Sequence, residues 1–129
     1  MNLLLDTHIF LWYIEDDSRL QSEKKDLIDA PISNRFISIA SLWEIAIKIA
    51  LKKLPTKYPL KDFEKILTQY DIQIIDIKLS HLLELENLIL YSEHKDPFDR
   101  LIVSQAIKED LFLITDDSQM KKYPVKILF

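Results

Sequence analysis

Four acidic residues in separate segments of this 129-residue chain stand where they could act together. They are Asp6 after the apolar run NLLL, Glu44 in SLWEI, Asp99 in DPFDRL, and Asp117 closing TDD. Carboxylates gathered away from bulk water need a positive partner, because an unpaired buried charge is expensive. No lysine or arginine is placed by the sequence to neutralise all four, whereas a hard divalent cation would do so. Carboxylate oxygens with water suit Mg²⁺ or Mn²⁺ better than zinc, which prefers histidine or cysteine. Such a cluster activates water and offsets charge on a phosphodiester, so hydrolysis of phosphate esters is the chemistry implied.

Each of these residues also has a plain structural reading. Asp6 and Asp117 are suited to helix N-caps, and Asp99 to the first turn of a helix. Glu44 fits a capping box opened by Ser41, or an i,i+4 ion pair with Lys48. Coincidence of all four at one edge of a sheet is what those readings do not predict. Asp99 gives a sharper test, because helical periodicity puts it with Ile102, Val103 and Ala106, the apolar face, while Arg100, Ser104 and Lys108 form a polar stripe toward solvent. Asp96 differs: an aspartate immediately before Pro97 is a helix-start signal and is explained as a cap.

The elements that must position these side chains are short apolar runs alternating with helical patterns, an α/β arrangement with a parallel sheet covered on both faces. Strands are expected at residues 2–5, 35–39, 72–76, 111–115 and 125–129, and helices at 7–14, 18–30, 40–53, 59–69, 79–90 and 97–109. Ser18 and Gln21 match a capping box for the second helix. In parallel sheets the functional crevice lies beyond the carboxyl ends of the strands, where Asp6, Asp116 and Asp117 follow directly.

Composition narrows the function classes. The chain has no glycine, which removes every Gly-rich phosphate loop, and no cysteine, which excludes disulfides and thiolate metal sites and is compatible with a reducing cytoplasm. Its three histidines, His8, His81 and His94, lack metalloprotease spacing and read as packing or surface residues, with His8 and His94 near enough to support the carboxylates. No apolar run is long enough to cross a membrane, and the length fits one domain. Seventeen basic against 21 acidic residues is an unusual balance for binding nucleic acid, yet removing the four carboxylates takes the formal charge from −4 to 0. Residues 45–65 hold six lysines, Lys48 among them, against Asp62 and Glu64, and Arg100 is placed either to meet a phosphate or to pair with Asp96 or Glu93.

The blocks LLLDTHIFLW, ISIASLWEIAIK, DPFDRLIVSQA and LITDD, in this order and spacing, resemble a PIN-domain protein, specifically a VapC-type ribonuclease toxin, over nearly the whole chain. The resemblance implies a single PIN domain over residues 1–129, a parallel sheet of about five strands between helices, and an acidic quartet, Asp6, Glu44, Asp99 and Asp117, that binds Mg²⁺ or Mn²⁺ and cleaves RNA. Thr7 and Thr115 match positions whose hydroxyls support the carboxylates, Asp96 could assist them, and Asp116 falls on a variable position. A cognate VapB-type antitoxin and a homodimer are implied as partners; the helices bearing IFLWYI and LWEIAIKIAL are more apolar than a small core requires, which agrees with a covered surface. Three other readings stay open: a PIN-like binding module without activity, a phosphatase of the haloacid dehalogenase type and a phospho-receiver. The phosphatase would need an aspartate where His8 stands, and the receiver an early acidic pair where this chain has a late one.

Overall fold

The computed structural model describes residues 1–128. Four strands, β1 (Asn2–Leu5), β2 (Asn34–Ser38), β3 (Ile72–Ile75) and β4 (Phe112–Ile114), form a wholly parallel sheet in the order β3-β2-β1-β4. Between them run α1 (Thr7–Ile14), α2 (Ser22–Asp29), α3 (Ile39–Ala50), α4 (Phe63–Gln69), α5 (Leu79–Asn87) and α6 (Pro97–Lys108). No helix among the described residues is long and apolar enough to cross a membrane.

The alternation of β1 explains why its leucines are all buried. Leu3 and Leu5 pack with α1 to α4 on one face of the sheet, and Leu4 packs with Ile102, Val103, Ala106 and Leu113 on the other. The chain therefore builds β1 to β3 in one direction and then returns past β1 to lay down β4, which makes the β1/β4 boundary the switch point where a crevice opens.

The expected fifth strand is reduced to a bridge between Leu113 and Ile127, where backbone bonds join Leu113 to Lys126 and Leu128; Phe129, at the end of that expected strand, lies outside the described residues. The second helix begins at Ser22, not Ser18: Asp17 takes the side chain and the backbone N–H of Arg19 in a local turn, which displaces the Ser18 capping box. α3 starts earlier than expected, capped by Ser38 through the Ala40 N–H, so Ser41 lies inside the helix and opens no capping box. α5 stops at Asn87 because the carbonyls of Leu88 and Ile89 accept from the Arg100 guanidinium. In α6, Ser104 is buried and returns its hydroxyl to the Arg100 carbonyl, instead of joining a solvent-facing stripe.

A chain without glycine must still end its helices. Asp16, Lys52, Asp71 and Asp110 take left-handed φ values of 51°, 57°, 51° and 56°, each just past the C-cap residue of α1, α3, α4 and α6. These are positions glycine usually fills, because a Cβ is disfavoured there. In three of them the next residue closes the cap by bonding back to Trp12, Lys48 or Ala106.

Candidate active site

Asp6 leaves the end of β1, and its backbone N–H joins it to the Ile114 carbonyl of β4. Its carboxylate is nearly enclosed. Oδ1 accepts the Ile9 N–H, capping α1, and Oδ2 accepts the Thr115 hydroxyl from across the sheet boundary. Thr115 Oγ1 also accepts the Asp117 N–H at 3.0 Å, so one threonine fixes two of the acidic residues. Asp117 makes a local turn through Gln119 N, 2.9 Å away, and its carboxylate otherwise faces the crevice.

Glu44 approaches from α3. Thr7 donates to its Oε1 at 2.8 Å and reaches Ser41 Oγ at 3.0 Å, while Lys48 Nζ lies 2.8 Å from its Oε2. The i,i+4 ion pair therefore exists, and it satisfies Glu44 alone. Asp99, in the first turn of α6, is held by His94 Nε2 at 3.1 Å from Oδ2. Asp96 is the cap of that helix, accepting from Phe98 N and Asp99 N, with Pro97 behind it. An Asp96→Ala variant is expected to lose about 1 kcal/mol in urea-unfolding free energy, the usual cost of a lost cap, with the rest of the site intact.

Asp6, Thr7, His8, Glu44, Lys48, Asp96, Asp99, Asp117 and Met120 line one cavity of about 110 Å³. Five carboxylates thus share a space with a single lysine. Burial pushes Asp6 up to about 6, against the Thr115 and Ile9 hydrogen bonds and with the help of Asp117 and Asp116. Burial also pushes Asp99 to about 6, opposed by the His94 hydrogen bond and reinforced by Asp96 and Glu44. Two carboxylates resisting ionisation in one cavity mark a place that lacks positive charge.

The structure separates the remaining expectations. Asp116 turns away from the cavity to the buried Lys24, at 3.2 Å. Arg100 pairs with neither Asp96 nor Glu93; it donates to the carbonyls of Leu88 and Ile89 and to Tyr123 Oη, and Glu93 pairs with Lys122. His81 is a packing residue, accepting the Lys78 N–H and bridging to Glu109. His94 is buried, and one nitrogen of its ring lies within 4.8 Å of oxygens from Asp99 and Asp117. Tyr123, which contacts His94, went unrecognised in the sequence: its partner lies 29 residues away, and no local pattern announces such a contact.

No functionally curated protein matches the sequence. Among solved structures, a chain of VapBC2 from Rickettsia felis, bound to a DNA fragment from their promoter, superposes with a TM-score of 0.71 at 19% identity, covering 99% of this chain and 98% of that one. A chain of VapBC-1 from nontypeable Haemophilus influenzae gives 0.66 at 16% identity, with 99% and 97% covered. At such identities the likeness concerns the fold. The sequence model of the PIN domain, however, matches residues 3–126, from the first leucine of β1 to beyond the TDD segment, and neither the haloacid dehalogenase nor the receiver reading survives that match. The chain belongs to the PIN domain family.

Proposed function

We propose that this protein is a divalent-metal-dependent endoribonuclease of the VapC toxin type, acting as a single domain, with Asp6, Glu44, Asp99 and Asp117 as the metal-holding carboxylates. The observation that carries this reading is the cavity at the β1/β4 switch point, where five carboxylates face one lysine. Hard oxygen donors in excess fit Mg²⁺ or Mn²⁺. A bound ion of this kind supplies a more acidic water and offsets charge on the scissile phosphate.

The chain's own residues prepare that place. Thr115 and the Ile9 N–H hold Asp6 in one orientation, and Thr7 does the same for Glu44. Lys48 stands at the rim, its side chain partly exposed, where it can meet an RNA phosphate once Glu44 is drawn to a metal. Asp96 contributes by starting α6 so that Asp99 projects inward. Arg100 is assigned to holding the loop before α6 and not to RNA, because its donors already meet carbonyls. The four carboxylates facing one cavity speak against an inactive binding module.

A VapB-type antitoxin is the proposed restraint, supported by the two VapBC neighbours, and a homodimer the proposed assembly. The apolar surface available for partners differs from that expected. α1 is buried along nearly its whole length, whereas α3 leaves Trp43 exposed, Leu51 is exposed at its end, and the segment before α6 exposes Ile89 and Leu90.

The deciding experiment is incubation of the purified protein with RNA and Mg²⁺ or Mn²⁺, with and without EDTA. Cleavage is expected only where the metal is free. Cleavage that survives complete chelation would remove the metal mechanism.

A further inference from the structure

Asp99 is the end of a run of hydrogen bonds whose direction can be assigned. His94 is buried between Asp99 and Tyr123, with Nε2 3.1 Å from Asp99 Oδ2 and Nδ1 2.7 Å from Tyr123 Oη. The Tyr123 hydroxyl is also 3.3 Å from the Arg100 guanidinium, which lies over the tyrosine ring. A guanidinium can only donate, so Tyr123 Oη accepts from Arg100 and has one proton to give. Two acceptors are in reach: His94 Nδ1 at 2.7 Å, and the His94 carbonyl at 3.4 Å, beyond the usual range. The proton goes to Nδ1. In a neutral imidazole the other nitrogen then carries the hydrogen, and that nitrogen faces Asp99.

We infer that His94 is a positioning residue and not a metal ligand: its Nε2–H donates to Asp99 Oδ2 and fixes which oxygen that carboxylate presents to the cavity, while Arg100 and Tyr123 lock the ring. The competing arrangement takes His94 Nε2 as a ligand beside Asp99 and Asp117, because the three atoms lie close enough to share an ion. It would require the proton on Nδ1, and a nitrogen donor would turn the site toward zinc-like metals. A ligating histidine ordinarily donates its outer N–H to an acceptor, whereas the assignment above has the outer nitrogen, 2.7 Å from Tyr123 Oη, receive the hydroxyl proton. The consequence for metal binding rests on the proposed role of Asp99; the assignment of the proton does not.

The first measurement is a long-range ¹H–¹⁵N correlation spectrum of the metal-free protein at neutral pH, with the His94 signals identified by their loss in His94→Gln. A ring protonated at Nε2 is expected, and one protonated at Nδ1 overturns the inference. The second is titration with Mn²⁺ followed by electron paramagnetic resonance. His94→Ala is expected to weaken binding by about 10- to 100-fold, as for other residues that orient a ligand. His94→Gln, whose amide N–H can replace the Nε2 donor, is expected to retain most of it. Strong ¹⁴N coupling to the bound Mn²⁺ in the unmodified protein, lost in His94→Gln, would make His94 a ligand and end the proposal. Failure of the unmodified protein to bind Mn²⁺ would count against the metal site itself, and the spectrum of the metal-free protein would still decide the direction of the hydrogen bonds.

Discussion

Replacing Asp99 with asparagine is expected to lower Mn²⁺-dependent RNA cleavage by more than about a hundredfold, because loss of a residue that merely orients a ligand costs about 10- to 100-fold and loss of the ligand costs more. The amide keeps the size of the carboxylate and can still accept from His94, so α6 and its Asp96 cap remain. What disappears is the ionised oxygen. Asp96→Ala makes the opposite change, removing the cap and leaving Asp99, and should retain most activity in a protein that unfolds more readily. Initial rates of both variants on one RNA, at one metal concentration, separate the roles. An equal loss in the two would mean that Asp99 acts through the helix start and not on the ion.

The second large effect has the opposite sign in stability. Asp6 and Asp99 titrate near 6 in the folded protein, from an ordinary value of 3.8, and burial is the main cause in both. Between about pH 4 and 6 the folded state keeps protons that the unfolded chain has released, so stability falls as pH rises through that window and stays reduced above it. Asp6→Asn removes the buried charge while its Oδ1 can still cap α1. In EDTA at pH 7.5 the variant is expected to be more stable than the parent by up to about 3 kcal/mol, taking roughly two pKa units at about 1.4 kcal/mol each. At pH 4 most of that gain should be gone, because the parent's carboxyl is then protonated as well. Added Mn²⁺ should stabilise the parent and not the variant, since a ligand stabilises only a state it binds. Urea unfolding at the two pH values measures this directly; a variant less stable than the parent at pH 7.5 would show that Asp6 already has adequate compensation in its hydrogen bonds.

Much of this site was legible because its residues lie in strongly patterned segments. β1 is an apolar run ended by an aspartate, and α6 has a clear inward face, so the positions of Asp6 and Asp99 follow from the pattern of residues alone. What sequence periodicity missed was decided by contacts between distant residues. The end of α5 depends on Arg100, which reaches back to Leu88 and Ile89. Asp116 depends on Lys24, 92 residues away, and His94 on Tyr123. Ser41 and Ser104 are polar types that read as caps or solvent-facing positions, yet each finds a partner inside the fold, at Thr7 or at its own helix backbone.

The bond between Asp6 and Thr115 spans 109 residues, and β1 meets β4 along a short register. During synthesis Asp6 leaves the ribosome long before the threonine that orients it and the aspartate that faces it have been made. A nascent chain that has displayed α1, β2 and α3 still has no complete carboxylate cluster. Completion of the cluster is therefore tied to arrival of β4, so the four proposed metal-holding carboxylates coexist only once nearly the whole chain has been made.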